Sequence, residues 1–200
     1  TVGCKNAGVS ARSMKCIQCI GRKTHIKEAK TFSFKVFAQM NAMLKYKDEY
    51  DYMLWIDADC IFNDVSVEEF NNLVASSIND KMVSCLRRKN YYSECGFLIY
   101  NLNHKYLTEY FSEVRKIYIS HEIYYTMQNH DSFIMDLVRE RFEKKYNTTL
   151  HFDLTKLLNK QYTHGQALQS TPFVYYFYHH KGKRKFKSLK DKKEINKNGE

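Results

Sequence analysis

The chain has 200 residues, of which 44% are hydrophobic and 15% aromatic, with one proline, seven glycines and a formal charge of +10. That length suits one domain burying roughly 70% of the surface its unfolded chain would expose. The apolar content excludes a disordered chain, and the absence of an apolar run near the roughly 20 residues of a membrane helix predicts no membrane span.

The first 30 residues show neither a signal-peptide pattern nor a convincing apolar β-run, so they stand as an unassigned segment ahead of a domain expected over 31–187. From Phe32 to Tyr46, apolar residues at Val36, Phe37, Met40, Met43 and Leu44 recur with the helical period. After polar Lys47-Asp48-Glu49, the run Tyr52-Met53-Leu54-Trp55-Ile56 reads as a strand buried on both faces of a mainly parallel sheet. Ser66, with Glu69 three residues on, is a capping box opening a helix to about Ser76. Met82–Leu86 and Gly96–Tyr100 read as further strands. Leu107, Tyr110, Phe111, Val114, Ile117 and Tyr118 share one helical face, and Ile134, Leu137 and Val138 mark a helix after His130-Asp131. Phe173–Tyr178 is β-prone, and 188–200 reads as a basic polar tail. Alternating strands and helices predict an α/β fold with a mixed, mainly parallel sheet flanked by helices.

Six cysteines at irregular positions give no disulfide ladder, and Cys60, Cys85 and Cys95 fall in or beside apolar stretches, which predicts free thiols and a reducing, cytoplasmic setting. Cys16 and Cys19 form one C-x-x-C without a paired second half, too little for a zinc site. Asn147-Thr148-Thr149 meets the glycosylation pattern but carries no secretory signal beside it.

Asp57-Ala58-Asp59 lies where the Tyr52–Ile56 strand leaves the sheet, the end where ligands collect in open α/β sheets. Two carboxylates one residue apart can both reach a hard divalent cation, and small Ala58 lets a backbone or a sugar approach closely. Acidic residues at strand ends are also common turn formers, so the pair alone does not decide the matter.

Tyr50 through Phe62 resembles the D-x-D strand of GT-A glycosyltransferases, which have a Rossmann-like fold, and notably of glycosyltransferase family 8 with its glycogenin-like members. Three more segments follow in that family's order. Ser93–Asn101 is similar to its N-x-G strand. His130-Asp131-Ser132 resembles its D-Q-x segment, with serine where glutamine is usual. His179-x-x-Gly182-x-x-Lys185 matches its H-x-x-G-x-x-K pattern, followed here by Phe186-Lys187 instead of Pro-Trp.

The resemblance implies a manganese or magnesium ion held by Asp57, Asp59 and His179 and bridging the phosphates of a nucleoside-diphosphate sugar. It implies that Gly182 and Lys185 wrap the diphosphate, that Lys35 contacts the donor and that Asp131 lies near the transferred sugar. Glu94 is a candidate for a sugar hydroxyl or for general-base work on the acceptor, a glycan, protein or other hydroxyl compound. By chemistry alone His180 equals His179 as a ligand, and only the glycine and lysine spacing separates them. Lys35 lies off the apolar face of its helix, where plain solvent exposure is the competing expectation, and Asp131 could serve only the helix dipole. GT-A domains begin with nucleotide-binding strands, which residues 1–30 would supply only in reduced or truncated form.

Two other classes compete. A nucleic-acid-binding protein would use the basic Lys181–Lys193 stretch and the tyrosines, but those aromatics sit mainly in periodic apolar segments that fill a core, so no nucleic-acid partner is expected. A metal-dependent nuclease or nucleotidyltransferase would use the same carboxylates for phosphate chemistry.

Overall fold

The computed structural model describes residues 22–58, 60–63, 65–88, 91–157, 168 and 171–179, with the backbone alone for 22–27 and for 178–179. Helix α1 (Arg22–Tyr46) leads into β1 (Tyr52–Ile56) and β2 (Cys60–Phe62), then α2 (Val67–Ser76), β3 (Val83–Arg88) and β4 (Tyr91–Asn101). Helices α3 (Leu107–Ile119) and α4 (Asp131–Tyr146) follow, then β5 (His151–Asp153) and β6 (Phe177–His179). Among the described residues no helix is long and apolar enough to cross a membrane.

The fold is mixed α/β. A four-stranded sheet runs in the order β1-β4-β3-β5, and β2 pairs with β6 in a separate two-stranded ladder. The expectation of a mainly parallel sheet is corrected: β4 is antiparallel to both β1 and β3, and among the described residues only β3 and β5 run parallel. The two residues between β3 and β4 can close a hairpin, whereas a parallel crossover takes a dozen or more. What the apolar runs did report is burial on two faces. Against one face lie α1, α3 and α4 with Val36, Met43, Phe111, Val114 and Ile134, and against the other lie Val74 of α2, Phe173 and Phe177. Both layers exclude water irrespective of strand direction. β1 is an edge strand among the described residues, and its side chains are only partly buried, contrary to the expectation of burial on both faces.

Helix α1 begins ten residues before the expected start and runs across residue 30. Its buried stripe is Ala29, Val36, Gln39 and Met43, with the Gln39 side chain accepting a hydrogen bond from Tyr100 at 2.9 Å. Helix α2 starts as read, the Ser66 hydroxyl accepting from the Glu69 amide at 3.3 Å. All six residues assigned to the core face of α3 are buried. Asn147 closes α4 in the left-handed region, φ 47°, where asparagine is one of the few tolerated side chains. The cap accounts for the asparagine of the glycosylation-like triplet. In the Phe173–Tyr178 run only the end is strand, because Pro172 starts a 3-10 turn over Pro172–Tyr175.

A buried ionic network ties α4 to the sheet. Asp136 accepts from the Ser93 amide at 2.8 Å and hydroxyl at 2.9 Å, and Arg139 reaches Asp136 at 3.1 Å and Glu143 at 2.6 Å. His151 Nδ1 lies 2.7 Å from Glu143 and 3.0 Å from Arg139 Nη1, so it donates to the carboxylate when protonated and accepts from the guanidinium in the other tautomer. Through Ser93 the network ties α4 to the first part of β4. Among the described residues Cys85 and Cys95 are buried, Cys60 is half-buried and none of the three is in a disulfide; burial pushes the Cys85 thiol up to about 11.

Candidate active site

Strand β4 is irregular at the point where β1 ends. Cys85 of β3 faces Leu98, but the next residue, Leu86, faces Glu94, so residues 95–97 bulge without partners on β3. The bulge swaps faces: Cys95 and Leu98 pack in the core under α1, α3 and α4, while Phe97 and Ile99 join the opposite one. Bulges of this kind re-aim side chains beside functional sites. Here the Gly96 carbonyl accepts from the Asp57 amide at 2.9 Å, and the missing side chain of Gly96 makes room for the Asp57 carboxylate. A β-carbon at residue 96 would lie 2.8 Å from Asp57 Oδ2 and 3.2 Å from Glu94 Oε1. The glycine of the N-x-G-like segment therefore serves the first aspartate of the D-x-D run directly.

Asp57 is held from two sides. Lys35 Nζ lies 3.0 Å from Asp57 Oδ1, and Trp55 Nε1 donates to the same oxygen at 3.3 Å. Trp55 and Asp57 are two apart along an extended chain, hence on one face. The same Lys35 Nζ lies 3.1 Å from Asp131 Oδ2, while Asp131 Oδ1 accepts from the Ser132 amide at 2.9 Å. The lysine side chain is 18% exposed, against 37% for Asp57 and 9% for Asp131. Burial works to lower the Lys35 pKa, but the Asp131 charge, with a further contribution from Asp57, outweighs it and the pKa rises, keeping the ammonium charged. The expectation of a plainly solvated Lys35 gives way to a part-buried cation bridging two acids.

Asp131 owes its place to the first turn of α4, whose N-cap is His130. The His130 Nδ1 accepts from the Phe133 amide at 3.2 Å, and its ring lies 5.1 Å from that of Tyr92. Burial, then the Arg88 charge, depresses the His130 pKa against the pull of Asp131, in keeping with a neutral acceptor ring. Glu94 reaches the site from just before the bulge, with Arg88 Nη1 at 3.6 Å; that guanidinium also donates to the Tyr92 carbonyl at 2.6 Å.

Lys35, Asp57, Glu94 and Asp131, singled out from separate stretches of sequence, thus meet around Gly96. Ala58 lies exposed in the turn after Asp57. Strand β2 then places Cys60 directly opposite His179 of β6, which brings the backbone of residue 179 beside the end of the D-x-D run. Asp59, Gly182, Lys185 and the Lys181–Lys193 stretch lie outside the described residues, as does the side chain of His179. Among the described residues no three His, Cys, Asp or Glu side chains group closely enough to hold a metal ion. The chemistry of the donors nonetheless fits a hard cation: Asp57 Oδ2 overhangs the notch at Gly96, with Glu94 Oε1 beside the same point.

The sequence reading passed over Trp55, Arg88 and the β2–β6 ladder. Two-residue strand spacing pointed to Trp55; Arg88 and the short ladder left no comparable signal. Compared with known proteins, the chain matches no family model, no curated protein and no solved structure.

Proposed function

We propose that the protein is a metal-dependent glycosyltransferase of the GT-A type, transferring a sugar from a nucleoside-diphosphate donor, taken as a UDP-sugar, to a hydroxyl acceptor. The observation that carries this reading is the meeting of Lys35, Asp57, Glu94 and Asp131 at one end of the sheet. Those residues come from segments that resemble the family in its own order. Residue 179 arriving opposite Cys60 adds the fourth segment to the same place.

In this reading Asp57, Asp59 and His179 would hold a manganese or magnesium ion, which when bound neutralises negative charge on the departing diphosphate. Gly182 and Lys185 would line the phosphates, the glycine by close backbone approach and the lysine by charge. Exposed Ala58 leaves room for the donor. Asp131 has both carboxylate oxygens engaged, one by Lys35 and one by the Ser132 amide, which suits orienting a sugar. With inversion of the anomeric centre the general base would be Asp131 or Glu94; with retention, as the resemblance suggests, Asp131 positions the sugar.

The test is a thermal-shift screen of nucleoside diphosphates with and without manganese. Ligand at a hundred times its dissociation constant stabilises a protein by about 2.7 kcal/mol, so UDP with manganese is expected to raise Tm clearly in the wild type and little in Asp59→Ala. Equal stabilisation of both proteins removes the site assignment, and no stabilisation of either removes the donor class.

A further inference from the structure

The geometry points to Lys35 as a built-in counter-ion that holds the cation's place at Asp57: it bridges Asp57 and Asp131 in the ion-free protein and surrenders Asp57 when a divalent cation binds. The inference rests on the proposed cation site and concerns how that site is kept ready.

Three observations carry it. Lys35 rises from the middle of a 25-residue helix, and its neighbours Val36 and Gln39 are fully buried, so the lysine backbone cannot drift. Its ammonium lies within 3.1 Å of both carboxylates, one on each side of the site, and 5.7 Å from the centre of the Trp55 ring. Finally, Lys35 and Trp55 both engage Asp57 Oδ1, whereas Oδ2 is the oxygen turned over Gly96.

Without the lysine, Asp57 and Asp131 would repel one another in a half-buried setting, and the loaded form of the site would be the only one with balanced charge. With it, the carboxylates are set in place before the ion arrives. The cost is competition. A divalent ion on Asp57 Oδ2 stands within a few ångströms of a like charge, and its binding is weakened until the ammonium withdraws onto Asp131.

The competing description, in which Lys35 only props up the carboxylates, predicts the opposite sign for a neutral replacement. A prop that is removed loosens Asp57 and weakens the cation. A place-holder that is removed strengthens it.

The experiment is a titration of the full chain with Mn2+ alone, no nucleotide present, following free Mn2+ by electron paramagnetic resonance. Lys35→Met is expected to bind Mn2+ at least about tenfold more tightly than wild type, and Lys35→Arg, which keeps the charge, to stay within about twofold. Unchanged or weaker binding by Lys35→Met overturns the inference. A second neutral variant covers the case of one that does not fold: Lys35→Gln is also expected to gain at least about tenfold in Mn2+ affinity, and unchanged or weaker binding by it overturns the inference equally. The UDP thermal shift separates this from the proposed function. Mn2+ binding with the expected Lys35→Met gain but no nucleoside-diphosphate binding sinks the glycosyltransferase reading alone, while metal-dependent UDP binding with no such gain sinks the place-holder alone.

Discussion

Two ionic clusters lie a short way apart, and they are built from the same residue types to different ends. In the Asp136–Arg139–Glu143–His151 cluster the guanidinium is 3% exposed and touches three carboxylates, and Asp136 takes two further hydrogen bonds from Ser93. The Lys35–Asp57–Asp131 cluster has one lysine for two acids, and one of those acids is more than a third exposed. A closed, buried network whose acids are tied down by the guanidinium and by Ser93 fixes one structure; an open one, with an acid that still faces solvent, is fit to take a ligand. The contrast separates a strut from a site more clearly than the charges alone.

Breaking the strut should give the largest effect on stability. Arg139→Met leaves Asp136 and Glu143 without their buried partner and is expected to cost about 3–5 kcal/mol in urea unfolding. A loss under 1 kcal/mol would mean that the network is not the closed one described.

Next comes Glu143. Burial would raise its pKa, yet the His151 hydrogen bond and then Arg139 hold it down to about 2. A carboxyl group depressed in the folded state adds stability above the usual carboxylate range and forfeits it as pH falls toward the folded value. Glu143→Gln should therefore be less stable than wild type at pH 7, by about 1.5–3 kcal/mol, the usual range for a hydrogen bond to a charged group. That gap should narrow between pH 5 and pH 2, and a gap independent of pH would refute the assignment.

At the open cluster the effect should fall on binding instead. Gly96→Ala pushes its methyl against Asp57 Oδ2, the movable end of a side chain, so the fold is expected to stand while manganese-dependent UDP binding drops at least about tenfold, equal to roughly 1.4 kcal/mol. Intact binding by calorimetry would show that Asp57 does not use that position. The smallest change belongs to neither cluster: Ser66→Ala removes a helix cap and should cost about 1 kcal/mol with ligand binding untouched.

How much of this was legible in the sequence differs from element to element, for physical reasons. Helix α3 was readable because its six core residues repeat with the helical period over its length. The start of α2 was readable because a cap is a local bargain between Ser66 and an amide three residues on. Strand direction was not, since an apolar run such as Leu98–Tyr100 records that both faces are covered and says nothing about which way its neighbours point. Strands β2 and β6 have three residues each, too few to show a period, and their pairing joins segments far apart in the chain. At the candidate site the acids and Lys35 could be named one by one. Their shared ammonium, the bulge at Gly96 and the bracing by Trp55 arise only when α1, β1, β4 and α4 come together.

The order in which strands join has a kinetic consequence. By Asp153 the chain has already supplied every strand of the four-stranded sheet, whereas β2 must wait for Phe177–His179 before its ladder can close. The backbone around residue 179 thus joins strands that are already paired, and Phe173 and Phe177 arrive with it to cover the second face of the sheet. With only three paired residues, the β2–β6 ladder should exchange its amides with deuterium ahead of those in the middle of β4.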